Sequence, residues 1–322
     1  MEINIYICQP LVGQTCRHAP HAAGSQTPAT VLLSDVLQRQ MELAATKRSA
    51  STRANYLTAM RSLLSYVGPQ TLLSDIDHMT IEGYERWLRR RGVSQNTASC
   101  YMRSLRALLT EADERLAPAF VHVYRGSVRT RKRSLPLDII ARLQQLDLSR
   151  RPTLQLARDV FLFSFYAMGM PFVDIAHLRP AQLTGDAIVY HRQKTGHRVA
   201  VALHPQLTDI IRRYEHQSAR YVFPLLRADD EADYALALGR YNRRLHRLGR
   251  ILGLDMPLTS YVARHTWASA AYHSDVGLAV ISGALGHAST QTTMTYIRDI
   301  DDQTIAQANL RVIGQVPKDV PE

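Results

Sequence analysis

The chain has 322 residues, long enough for two domains, and 46% of them are hydrophobic, enough to give each a core. A formal net charge of +11 points to a polyanionic partner, most simply nucleic acid. The three cysteines, Cys8, Cys16 and Cys100, form neither a disulfide framework nor a metal-ligand spacing, and no stretch approaches the roughly 20 apolar residues of a membrane span.

Residues 1–30 repeat Pro, Gly, Ser, Thr and Ala without helical period and read as an irregular arm. The opening MEINIYICQPLVG has an early acidic residue and no basic flank. It makes a poor signal peptide, and the expected compartment is the cytoplasm. Over residues 31–117 the apolar spacing predicts about four helices. Ser51 or Thr52 is expected to cap the second, which carries Tyr56, Met60, Leu63, Leu64 and Val67 and ends at Gly68-Pro69. Thr80 and Glu82-Gly83 stand near the start of a third helix that Gly92 closes. Ser94 is the expected cap of the fourth, with Tyr101, Leu105, Leu108 and Leu109 at helical spacing. Arg48, Arg53, Arg90 and Arg103, with Asn96 near a helix N-terminus, are candidate phosphate contacts; the plainer reading is a set of solvated helix faces. Residues 118–134, which include VYRGSVRTRKRS, predict a basic linker whose Arg131 and Lys132 would lie on the polyanion.

A second domain is expected over residues 135–315. Order restarts at Leu135–Ile139, and Arg151-Pro152 interrupts it. The run LQLARDVFLFSFYAMGMPFVDIAHLRPAQL then reads as a strongly apolar helix, a Gly-Met-Pro turn and a short helix ending at Pro180. Ile188–Tyr190 and Val199–Leu203 predict two strands joined through Thr195-Gly196, with Lys194 at the tip. Helices are expected after Pro205 and over Tyr241–Leu252. One more is expected after Asp301, and residues 316–322 read as a tail.

The densest chemistry lies between Leu258 and Asp299. Tyr261 and Arg264 are three apart, which puts them on one helix face. An apolar stretch from Val276 to Leu285 follows. Gly286 can end a helix in the left-handed conformation, and His287 comes directly after it. The polar run Ser289–Thr293 offers a cap for another helix, and Tyr296 stands nine positions past His287. Singly, an arginine is usually a solvated charge, a histidine after glycine a loop residue, and a tyrosine part of a core edge. The joint order is another matter: Arg-His-Thr, then Leu-Gly-His, then a tyrosine nine on resembles the C-terminal signature of the tyrosine recombinase (phage integrase) family. The resemblance spans about residues 32–315 and takes in RQKTGHRVAVAL around Lys194 and SQNTASCYMRSLRALL in the helical region.

The resemblance implies a mainly α fold with a small β-hairpin or sheet. It pairs an N-terminal helical core-binding (SAM-like) domain with a C-terminal α+β catalytic domain. It implies a site-specific DNA recombinase of the integrase or invertase type, which cleaves and rejoins DNA through a 3′-phosphotyrosine. In that chemistry Tyr296 is the nucleophile, Arg264 clamps the phosphate, and His287 donates to the phosphate or orients the tyrosine. Lys194 protonates the departing 5′ oxygen, and Tyr261 stands where many relatives have histidine. The covalent link keeps the phosphodiester energy, so neither ATP, metal nor other cofactor is implied. The implied partners are double-stranded DNA, three further copies in a homo-tetramer on paired sites, and accessory DNA-bending proteins; no membrane is implied.

The chain departs from the family at the first catalytic arginine, which relatives carry in a Gly-x-Arg pattern or directly before the glycine. Those positions are Pro171 and Met168 here. Loss of one charge clamp costs on the order of 10²- to 10³-fold, by analogy with an oxyanion donor. Arg158, Arg179 and Arg192 are candidate substitutes. The alternative function is a DNA-binding regulator that kept the clamp and lost efficient cleavage. A type IB topoisomerase is a third reading, which the size and two-domain layout disfavour.

Overall fold

The apolar spacing of the first third of the chain becomes four helices, α1 (Leu33–Lys47), α2 (Ala50–Val67), α3 (His78–Arg90) and α4 (Gln95–Ala112). They are seen in a computed structural model that describes residues 31–128, 133–287 and 290–294. The chain divides into two compact units between residues 129 and 130. In the first, Leu37, Leu63, Ile81, Tyr84, Met102 and Leu105 are fully buried. Each of the leucine, isoleucine and methionine side chains among them contributes about 1.5–3 kcal/mol by leaving water. Tyr66, Tyr84 and Trp87 pack their rings at centroid distances of 5.6 to 5.9 Å.

The caps explain where these helices start. Ser94 caps α4 as expected, accepting from the Thr97 N–H at 3.2 Å. For α2 the cap is Ser49, not Ser51 or Thr52: its extended backbone lets its Oγ accept from the Thr52 N–H, whereas the other two already lie inside the helix. Asp77 caps α3 through the Thr80 N–H at 2.8 Å. A 3₁₀ turn over Glu114–Phe120 follows α4, and Ala119, Phe120 and Val123 are buried in this same core. The segment read as a linker from residue 118 therefore begins as packed structure. Its apolar residues are too few to register as a period.

The second unit holds α5 (Leu137–Gln145), α6 (Pro152–Tyr166), α7 (Phe172–Ala176), β1 (Leu183–Thr184), β2 (Ala187–His191), β3 (Arg198–Ala202), α8 (Pro205–Tyr214), α9 (Glu231–Ile251), α10 (Val262–His273), α11 (Leu278–Ala284) and α12 (Thr290–Met294). Pro152, read as a break, is the first residue of α6, where its missing N–H costs nothing. Leu154, Ala157, Val160, Phe161, Leu162 and Phe163 are all buried, so α6 is apolar nearly all round and runs through the core. It packs against α8, α9 and α10.

The three strands form an antiparallel sheet in the order β1-β2-β3. Ile188 pairs with Val201 and Tyr190 with Val199, and these four are buried while Ala200 faces out. The two-residue β1 was not expected, being too short to show alternation. α9 begins ten residues before the expected helix. Asp230 caps it, accepting from the Asp233 N–H at 2.7 Å, and the mixed run EADYALALGR hides the period that Ala237 and Tyr241 bury. The Tyr241 ring stacks on Phe172 at 4.5 Å and so ties α9 to α7. The N-terminal arm and the helix expected after Asp301 lie outside the described residues.

Candidate active site

Arg264 enters the core from the first turn of α10 and is 2% exposed. Its Nη1 donates to the Gly169 carbonyl at 2.8 Å, and its Nη2 donates to the Leu285 carbonyl at 2.6 Å. Gly169 has φ +70°, and a Cβ there would lie 2.9 Å from Arg264 Cγ and 3.0 Å from its Cα. The turn after α6 can therefore approach the arginine only as glycine. Met168 precedes it at φ 54°. A side chain in that left-handed region costs on the order of 1 kcal/mol.

The second Nη2 contact of Arg264 is His287 Nε2, at 2.8 Å. A guanidinium has no lone pair to accept with, so Nε2 is the acceptor. The ring proton then sits on Nδ1, which donates to Thr293 Oγ1 at 2.9 Å. Thr293 lies in α12 and is fully buried. Burial lowers the His287 pKa to about 4, with the positive charges of Arg264, Arg192 and Lys194 acting in the same direction. At neutral pH the ring carries no charge.

A second arginine converges on the same turn. Arg192 directly follows β2 and is 7% exposed. Its Nη1 donates to the Leu285 carbonyl at 2.6 Å, the oxygen that also receives Arg264. Its Nε faces Asp174 Oδ2 of α7 at 3.5 Å, and Asp174 Oδ1 accepts from the Gln193 N–H at 2.9 Å. Burial raises the Asp174 pKa, while the Gln193 N–H and the two arginines pull it the other way. Gly286 has φ +62°, and a Cβ there would come within 2.5 Å of Arg192 Cδ. The Leu-Gly-His motif thus leaves room for an arginine as well as ending α11.

Two guanidinium groups on one carbonyl repel by roughly 2–3 kcal/mol at an effective dielectric near 20. Asp174 offsets part of this, and Lys194 adds further positive charge at the hairpin. An anion is the natural complement of such a centre.

The expected catalytic residues stand as follows. Arg264 and His287 are in direct contact. Lys194 is exposed in the β2–β3 turn, and its charge reaches the His287 ring. Tyr261 immediately precedes α10, is 53% exposed, and lines a cavity of about 60 Å³ with Pro171, Phe172 and Arg264. Tyr296 lies outside the described residues, two positions beyond the end of α12. Of the three candidate substitutes for the first arginine, Arg158 pairs with Asp159 and Arg179 with Asp229; Arg192 alone of them is in the cluster. Asp174 was not singled out from the sequence; Thr293 stood there only within a capping run, and Gly169 only as the glycine of a turn. A lone acidic residue in PFVD and a threonine in a polar run carry no signal until the fold joins them to an arginine and a histidine.

In the first unit the expected DNA contacts divide. Arg48 lies 3.6 Å from Glu111, and Arg53 donates to the Ala45 carbonyl at 3.1 Å. Arg90 is exposed at the end of α3. Asn96 donates to the Val128 carbonyl at 2.9 Å and accepts from its N–H at 2.8 Å. Arg103 donates to the carbonyls of Arg125 and Gly126 at 2.7 and 3.0 Å. These last two hold the following segment against α4, a task their sequence positions do not reveal. Arg131 and Lys132 lie outside the described residues.

Residues 32–115 match the phage integrase SAM-like domain, and residues 140–303, half of the chain, match the phage integrase family. The chain belongs to the phage integrase family. A curated integrase/recombinase of Sinorhizobium fredii (strain NBRC 101917 / NGR234), y4qK, is 26% identical over 163 residues, covering 48% of this chain and 51% of that protein. The chain thus spans about half the length of this curated relative. Among solved structures, the lambda integrase tetramer bound to a Holliday junction matches at a TM-score of 0.67 and 17% identity, over 85% of this chain and 80% of that one. The Tn1549 transposon integrase in complex with transposon right end DNA matches at 0.62 and 12%, over 87% and 99%. At such identities the likeness is one of fold. It agrees with the mainly helical phage integrase architecture of two units, the second with a small antiparallel sheet.

Proposed function

We propose that this phage integrase family member is a site-specific DNA recombinase that cuts and rejoins duplex DNA through a 3′-phosphotyrosine on Tyr296. The observation that carries the reading is the convergence of Arg264, His287 and the Lys194 hairpin on the Leu285–Gly286 turn. This is a cationic centre with a neutral imidazole, shortly before a tyrosine in the chain.

The chemistry follows from those groups. The phenolic oxygen of Tyr296 attacks phosphorus while Arg264 neutralises the phosphoryl oxygens. A P–O(Tyr) bond forms and the P–O5′ bond breaks. The departing 5′ oxygen takes a proton from the Lys194 ammonium. The phenolic proton passes to His287 Nε2, which gives up the hydrogen bond it accepts from Arg264 as Arg264 turns to the phosphate, and whose basicity rises once that phosphate offsets the surrounding cations. Tyr261 donates its hydroxyl to the same phosphate. Reversal with a different 5′ hydroxyl rejoins the strand.

The first unit, with Arg48, Arg53 and Arg90, supplies phosphate contacts on the duplex, and Arg131 and Lys132 extend them along the basic segment. Asn96 and Arg103 contribute by fixing the chain that leads to it. The working assembly is a homo-tetramer on paired sites, since four strands must be cut, with accessory DNA-bending proteins as further partners. The lambda integrase relative, solved as a tetramer on a Holliday junction, supports this reading. No helix among the described residues is long and apolar enough to cross a membrane; the proposed compartment is the cytoplasm.

The second reading, a DNA-binding regulator with impaired cleavage, is favoured by Pro171 and Met168, which carry no charge where the first arginine belongs. A nicked duplex library with a randomised core separates the two. The recombinase forms a denaturation-resistant protein–DNA adduct that Tyr296→Phe abolishes. Selective retention of DNA with no adduct would establish the regulator.

A further inference from the structure

Position 171 is proline at the start of α7 and position 168 is methionine in the preceding turn, so neither brings a cation to the phosphate. We propose that Arg192 serves as the second guanidinium on the scissile phosphate in place of the missing arginine, an inference that rests on the strand-transfer reading above.

Four observations support it. Arg192 is buried, and its Nη1 shares the Leu285 carbonyl with Arg264 Nη2, which brings the two forks side by side. Asp174 faces the group at 3.5 Å from α7, the helix that follows the turn where relatives carry the first arginine. Gly286 leaves room for the Arg192 stem, since a Cβ would lie 2.5 Å from Arg192 Cδ. Finally, the buried Nε of Arg192 has no hydrogen-bond partner among the described residues, while its Nη1 is spent on the turn. A phosphoryl group has two non-bridging oxygens that gain charge as the tyrosine attacks. Arg264 meets one and Arg192 the other. Arg192 makes and breaks no covalent bond; it stabilises charge while P–O(Tyr) forms and P–O5′ breaks.

The test compares wild type and Arg192→Gln on a nicked duplex carrying the selected site, with either a phosphate or a neutral methylphosphonate at the scissile position. Adduct formation by Arg192→Gln should fall on the order of 10²-fold on the phosphate. The deficit should shrink to about 10-fold or less on the methylphosphonate, where one oxygen charge is already gone. An equal deficit on both substrates would mean that Arg192 only shapes the site, and no deficit on the phosphate would mean that it plays no part; either overturns the inference. If Arg192→Gln does not fold by circular dichroism, Arg192→Lys takes its place, judged by the same contrast between substrates. Absence of any adduct with wild type would overturn the strand-transfer reading itself, and this inference with it, which distinguishes the two failures.

Discussion

Among the described residues of the second unit, the arginines around Asp159 and those around Leu285 are arranged differently. Around Asp159 every carboxylate oxygen is used. Oδ1 accepts from Arg158 Nε at 2.8 Å, and Oδ2 accepts from Arg213 Nη1 at 2.6 Å and from the Tyr214 hydroxyl at 2.7 Å. Arg213 also reaches solvent, with 41% of its side chain exposed. Around Leu285 the guanidinium groups of Arg192 and Arg264 are both buried, and they meet at a carbonyl rather than a carboxylate. The acid nearest Arg192, Asp174, faces it at 3.5 Å. Buried charge persists when it is neutralised, and the first cluster neutralises its own. The second is left short of negative charge, which is what the proposed phosphate site requires.

This contrast makes predictions that differ in size. Asp159→Ala should destabilise the unit by about 3–5 kcal/mol, because it strands Arg158 without its partner. Urea denaturation measures this, and a loss below about 1 kcal/mol would contradict the structural role assigned to Asp159. Gly286→Ala should cost on the order of 1–3 kcal/mol, from a side chain at positive φ and a clash with Arg192, and adduct yield should fall with it. Sulfate near ten times its dissociation constant should stabilise the protein by about 1.4 kcal/mol. That gain should vanish in Arg192→Gln and survive in Arg213→Gln; the reverse pattern would assign the anion site to the wrong cluster.

A pH effect follows from His287. Its folded pKa, about 4, lies below the usual histidine value. The unfolded chain therefore binds the extra proton first, and stability falls as pH drops from about 6.5 toward 4. His287→Gln should flatten the profile in that window, and the His287 ring signals in NMR should titrate near 4 rather than 6.5. The smallest effect belongs to the first unit. Arg48→Ala breaks an exposed pair with Glu111 and should change stability by less than about 0.5 kcal/mol. If Arg48 contacts phosphate, the salt dependence of DNA binding should weaken by about one ion.

Much of this architecture was legible in the residues. Ser94 announced its helix, the alternation of Val199 and Val201 announced the strand, and Arg264, Leu285, Gly286 and His287 announced a site. Those signals are local: a cap, a period, a motif. The parts that stayed hidden depend on distance in the chain. Arg192 and Leu285 are joined only by the fold, so the sequence left Arg192 equal to Arg158 and Arg179. Asp174 and Thr293 had no motif of their own. The packing of Phe120 and Val123 was hidden because two apolar residues in a basic run make no pattern. The early start of α9 was hidden by charges and a glycine within its first turns.

The most direct measurement is the identity of the DNA-linked residue. The adduct on a nicked duplex can be digested with nuclease and protease and the modified peptide sequenced by mass spectrometry. The expected result is a single nucleotide attached through its 3′ phosphate to Tyr296. Attachment at another side chain, or DNA retained without any covalent link, would contradict the proposed chemistry.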